Sequence, residues 1–240
     1  MRILLINPNT TESVTTLVKR HVEAIAGDVA TFVPVTGAFG ARYISSRASA
    51  AIAAHAALDS LAKHGAGCDA VYLACFGDPG LLALRELAAV PVVGMAEASC
   101  LEASRIGRFS IVTGGALWGP MLTEFVAAMG LADRLASVRT VAPTGGEIAE
   151  NPDAALAQLA EACTACVTQD GAEVVILGGA ALAGLAARIQ PDVPVPVLCS
   201  VAVGTRAAIA AASTPFAREK PPAINSIGLG SDLANSLRGA

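Results

Sequence analysis

The chain repeats itself, and that repeat constrains its fold more than any other feature. DAVYLACFGDPGLLALREL, which carries Cys75, finds an echo in AEVVILGGAALAGLAARIQ, placing Cys75 over Gly179. VPVVGM aligns with VPVLCS, placing Gly94 over Cys199, and RILLINPN aligns with FSIVTGGA, placing Asn7 over Gly114. All three pairs are separated by roughly 105 residues, which argues for two halves of related design. Within each half, short unbroken apolar runs alternate with helical segments. Runs such as ILLI, VYL, FSIV and VVIL do not alternate with polar residues, so they read as strands buried on both faces. The pattern predicts an α/β fold: two pseudo-symmetric domains, each a roughly four-stranded parallel sheet flanked by helices, with the active site in the cleft between them. The expected boundaries are 1–97 plus 213–240 for the first domain, carrying Cys75, and 98–212 for the second, carrying Gly179.

Strands are expected at Arg2–Ile6, Ala30–Val35, Val71–Cys75, Val90–Met95, Phe109–Thr113, Val138–Val141, Val174–Leu177 and Val195–Leu198. Helices fill the intervals, including Asp153–Gln169, Ala202–Ala212 and Asp232–Leu237, while Ser213–Asn225 reads as irregular. The turn after Cys75 has the chemistry of an immediate helix start. Asp78 suits the N-cap and Pro79 the first helical position, with Gly77 and Gly80 allowing a tight bend. A cysteine beside a helix N-terminus would be biased toward thiolate, the form that takes a proton.

Composition excludes several classes of function. The net charge of −4 disfavours nucleic acid and anionic membrane surfaces as partners. Apolar residues make up 54% of the chain, yet no run approaches the roughly 18 residues of a spanning helix. The expectation is a cytoplasmic protein with a small-molecule substrate and no membrane or nucleic-acid partner; assembly into a homo-oligomer is left open. The six cysteines suit a reducing compartment. Cys163 and Cys166 form a CxxC within a helix, without a second pair or a nearby histidine cluster, so neither metal nor redox use is expected of them. No phosphate-binding glycine loop, dinucleotide fingerprint or HExxH is present, so no cofactor and no metal are expected. His21, His55 and His64 fall on helices and read as solvent-facing.

INPNT at Ile6–Thr10, ACFGDPGL at Ala74–Leu81, PVVGMAEAS at Pro91–Ser99 and FSIVTGG at Phe109–Gly115 resemble the aspartate/glutamate/hydantoin racemase superfamily, and its hydantoin and allantoin racemases most of all. The resemblance implies cofactor-independent racemisation, with two cysteines flanking an activated Cα–H. The first cysteine maps onto Cys75. The second belongs to a segment resembling LGCAGMAGL, which reads LGGAALAGL here and leaves Gly179 at that position. Three alternatives follow. The chain catalyses one-sided chemistry, as arylmalonate decarboxylase does with one cysteine; or Cys199 or a water supplies the second proton; or the chain is an engineered or inactive form that only binds ligand. The resemblance also implies that Asn7, Thr113 and Gly114, at the ends of the first strands, grip substrate. Phe76, Gly77, Gly179 and Ala180 line the pocket in that picture, and Ser45 reaches over it. Asp78 reads as a cap and Glu97 as structural; Ser46, like Ser45, either reaches over the cleft or caps a helix, and Trp118 and Met121, large apolar groups beside a strand end, either shape specificity or pack in the core.

Overall fold

The computed structural model describes residues 1–142, 145–217 and 223–239. The first half runs β1 (Arg2–Asn7), α1 (Glu12–Ala26), β2 (Thr31–Thr36), α2 (Arg47–His64), β3 (Ala70–Leu73), α3 (Leu81–Leu87), β4 (Val92–Gly94) and α4 (Met95–Ile106). The second runs β5 (Phe109–Gly114), α5 (Trp118–Ala128), β6 (Leu135–Val141), α6 (Gly145–Glu150), α7 (Pro152–Thr168) and β7 (Val174–Leu177). A 3₁₀ turn at Ala180–Leu182 leads into α8 (Leu185–Ile189), followed by β8 (Val197–Cys199), α9 (Ser200–Ala212) and α10 (Ser231–Arg238). Two four-stranded parallel sheets result, with orders β2-β1-β3-β4 and β6-β5-β7-β8.

The repeat seen in the sequence is kept in register. Asn7 and Gly114 end β1 and β5, Gly94 and Cys199 end β4 and β8, and Cys75 and Gly179 each lie just past the end of their strand. Even a detail at the strand starts recurs. The Arg2 amide donates to Asp69 Oδ2 at 2.7 Å, and the Arg108 amide donates to Glu173 Oε2 at 2.7 Å. Each acidic residue satisfies an orphan N–H at the entry of the first strand of its half.

The unbroken apolar runs have a plain cause. Ile3 and Leu5 of β1 face one core and Leu4 and Ile6 face another, so both sides of the strand are dry. In the second sheet Phe109, Ile111, Val174 and Ile176 face the shared core, while Val112, Val175 and Leu177 face an outer core under α7 and α8. The shared core thus joins the inner faces of both sheets. Helix α9 follows β8 yet packs against β3, β4 and α4. Tyr72 of β3, fully buried, donates from Oη to the Val201 carbonyl at 3.3 Å. Gly204 makes room for that ring, since a Cβ there would lie 2.3 Å from Tyr72 Oη.

Several boundaries differ from the sequence reading. β3 stops at Leu73, so Cys75 sits in the following turn, and β6 begins at Leu135, three residues before its apolar stretch. Of the segment read as irregular, 218–222 lies outside the described residues. Cys163 and Cys166 lie within α7, the helix expected for them, and are fully buried on its inner face. His21 is half-buried and not solvent-facing: its ring packs on Gly184, where a Cβ would lie 2.4 Å from Nε2.

Candidate active site

The carboxyl ends of the two sheets enclose a cavity of about 220 Å³. From the first half it is lined by Asn9, the Tyr43–Ser45 loop and Ala74–Phe76. From the second come Thr113–Gly115, Trp118 and the Gly178–Leu182 turn. The two echoing turns therefore face each other, as their strand-end positions demand. They also interlock. The Phe76 ring lies on Gly178, where a Cβ would be 2.4 Å from Phe76 Cε1, so only glycine permits this approach.

Cys75 is 8% exposed and packs with Ile44, Ala53, Ala50 and Trp118. Its ionisation differs from the sequence expectation. Burial, reinforced by the nearby Asp78 carboxyl, pushes the Cys75 thiol well above the usual range. The resting group is a thiol. The helix start lies further on than the sequence suggested: α3 begins only at Leu81, behind an αL Gly80.

Asp78 caps a helix, but not the one that follows it. Its own backbone is left-handed at φ 47°, and its carboxylate reaches eighteen residues ahead to the start of α4. There it accepts hydrogen bonds from the amides of Ala96 (2.9 Å) and Glu97 (2.7 Å). Gly94 leaves the space, since a Cβ would lie 2.3 Å from Asp78 Oδ2. Burial raises the Asp78 pKa to about 7, against the pull of those two amides. Glu97 is held by Arg85, whose Nη1 donates to Glu97 Oε1 at 2.9 Å, and it lies outside the cavity lining.

Asn7 does not face the cavity. It is 1% exposed, and its side-chain amide donates to Asn9 Oδ1 and Thr15 Oγ1, both at 2.9 Å. Asn9, which the sequence reading passed over, lines the cavity in its place. Gly77 sits outside the cavity, beneath the Trp118 ring. Ser45, Phe76, Thr113, Gly114, Gly179 and Ala180 all line it. Ser46 turns away to cap α2, accepting from the Ser49 amide at 3.2 Å. Cys199 is absent from the cavity lining and packs between the shared and outer cores. Its neighbour Ser200 points to the turn instead, accepting the Gly179 amide at 3.1 Å.

Gly179 adopts φ 142° and ψ 136°, a conformation that L side chains rarely enter. The space beside it is open. A Cβ there would meet Leu182 at 3.5 Å and Thr113 Oγ1 at 3.9 Å, ordinary contact distances. Among the described residues, the amides of Phe76, Gly77 and Ala180 donate no hydrogen bond within the protein.

Residues 3–208 match the family model for Asp/Glu/hydantoin racemase. The chain belongs to that family. Similar racemases include the hydantoin racemase of Pseudomonas sp. strain NS671, 32% identical over 86% of this chain and 84% of that one. The hydantoin racemase of Paenarthrobacter aurescens is 34% identical over 87% of this chain and 89% of its own length. Among solved structures, the allantoin racemase of Pseudomonas fluorescens superposes with a TM-score of 0.84 at 31% identity, covering 91% of this chain and 99% of that one. Arylmalonate decarboxylase shares the fold alone, with a TM-score of 0.61 at 18% identity. Among the described residues of this racemase-family enzyme, no helix is long and apolar enough to cross a membrane.

Proposed function

We propose that this enzyme moves a proton at the activated Cα–H of a hydantoin-like or amino-acid-like substrate, with Cys75 as the acid–base group and no cofactor. The observation that carries the reading is the position of Cys75. It is the cavity's only thiol among the described residues, and the other polar lining groups are hydroxyls, the Asn9 amide, the Trp118 indole N–H already bonded to Ile44, and the backbone. The volume is below the ~300 Å³ at which sites for drug-sized ligands begin, which favours a compact substrate. A hydantoin suits it chemically because the carbanion at its ring Cα delocalises into the neighbouring carbonyl. The hydantoin racemase relatives support the same substrate class.

In racemisation the Cys75 thiolate removes the Cα proton, and the electron pair moves onto the carbonyl oxygen. The unengaged amides of Phe76 and Ala180 are suited to stabilise that oxygen. A proton then returns to the opposite face. Gly179 has none to give, so a water beside the Thr113 hydroxyl delivers it, and the resulting hydroxide is neutralised as the Cys75 thiol gives up its proton through solvent; Thr113 Oγ1 is near where a side chain at Gly179 would project.

Gly179 and the neutral resting thiol favour a second reading, one-sided chemistry. Here the Cys75 thiol protonates a carbanion formed by loss of CO₂ or by isomerisation, and the product has a single hand. The thiol is then already in the required state.

Incubation of each hydantoin enantiomer in D₂O, followed by NMR and polarimetry, separates the readings. Exchange with racemisation supports the first and exchange with retention the second. Exchange that survives Cys75→Ala overturns both.

A further inference from the structure

A second hollow of about 380 Å³ lies against the catalytic cavity, lined by Arg47, Ala50, Gly77, Met121, Glu124 and Phe125, with Trp118. Trp118 belongs to both hollows and is the lining residue they share. Its indole is held on two sides. Nε1 donates to the Ile44 carbonyl at 3.1 Å, which ties α5 to the loop over the cavity. The opposite edge rests on Gly77, at φ 115°, where a Cβ would lie 2.5 Å from Trp118 Cζ3. A ring pinned by a hydrogen bond and by a glycine that admits no side chain is a fixed wall.

The hollow behind this wall has the chemistry of a side-chain site. Ala50, Met121 and Phe125 give it apolar walls, and the exposed Arg47–Glu124 ion pair bridges α2 and α5 at its rim. With the indole removed, the cavity of about 220 Å³ would open into this hollow, giving a substituent on the substrate an apolar surface to lie on.

We infer that Trp118 is a specificity-determining residue, which confines the substituent on the reacting carbon to a small group and closes off an apolar subsite behind it. The inference rests on the hydantoin-type reading above. It commits the closed subsite to one occupant, an aromatic or branched aliphatic substituent on the substrate's reacting carbon.

The test compares 5-methylhydantoin with 5-benzylhydantoin, for Cα exchange in D₂O and for calorimetric binding. The wild-type enzyme is expected to prefer the methyl compound, and Trp118→Ala to shift the ratio toward the benzyl compound by about tenfold or more. Trp118→Phe keeps bulk but loses the bond to Ile44, and should stay near the wild-type ratio. Ala50→Phe added to Trp118→Ala refills the hollow and should restore that ratio, which a merely loosened site would not do. An unchanged ratio in Trp118→Ala overturns the inference, as does equal shift in the Phe variant. If the Ala variant does not fold, Trp118→Leu carries the same comparison. Absence of exchange with both compounds overturns the hydantoin reading, and the binding ratio then decides the role of Trp118 separately. Binding of neither compound by any variant overturns both.

Discussion

Replacing Gly179 with cysteine puts a second thiol on the wall facing Cys75, and its consequences follow from the local geometry. Space does not oppose the change, because the nearest atoms to a Cβ are 3.5–3.9 Å away. The backbone does. At φ 142° a non-glycine residue is strained by about 1–3 kcal/mol, offset by about 0.4–1 kcal/mol from the stiffer unfolded chain. A net loss of about 1–2 kcal/mol lowers the melting temperature by roughly 2–8 °C in a protein of this size. Gly179→Ala carries the same backbone cost without the thiol and should melt at the same lowered temperature. The new thiol should raise racemisation of either hydantoin enantiomer by about 100-fold, the scale of a well-placed general acid. Calorimetry with polarimetry on wild type and both variants gives the answer. Gly179→Ala melting with the wild type would refute the enforced backbone conformation. A folded Gly179→Cys with no gain in racemisation would refute its placement opposite Cys75.

Three other outcomes are expected. The folded-state pKa of Asp78, about 7, lies above its ordinary 3.8, so the stability it contributes is present below about pH 4 and lost as pH rises to about 7. Urea unfolding should show a decline of up to about 4 kcal/mol across that window, much flatter in Asp78→Asn; parallel curves would refute the assignment. Cys199→Ala should leave Cα exchange within about twofold of wild type, because the sulfur does not line the cavity; a tenfold loss would restore it as a proton donor. If Cys75 works as the base, its raised pKa makes kcat/KM climb by about tenfold per pH unit through neutrality, whereas a flat profile marks it as an acid.

The architecture was legible because it rests on patterns local in sequence. Unbroken apolar runs at β1, β3, β5 and β7 reflect burial on both faces, and the echo between the halves fixed which strand ends would meet. What escaped was decided by partners distant along the chain. Asp78 and Pro79 have the local look of a helix start, yet the amides that hold the Asp78 carboxylate belong to α4. The protonation of Cys75 depends on burial by Ile44, Ala53 and Trp118, which no motif encodes. Asn7 was expected to grip substrate at a strand end, but the last side chain of β1 turns inward to Thr15 and Asn9, and it is Asn9 that meets the cavity. The Trp118 bond to Ile44 spans both halves and leaves no spacing to read.

The placement of α9 bears on how such a molecule can have arisen. The chain looks like a doubled unit, yet the helix that closes the second unit covers the sheet of the first, pressing on β3 and β4. A fragment ending after α4 would lose α9 from the Tyr72 side of its sheet, and the remainder would carry a helix parted from most of its packing partners. The two halves are thus interdependent. The cleft is complete only when both halves are present, because each supplies part of its lining.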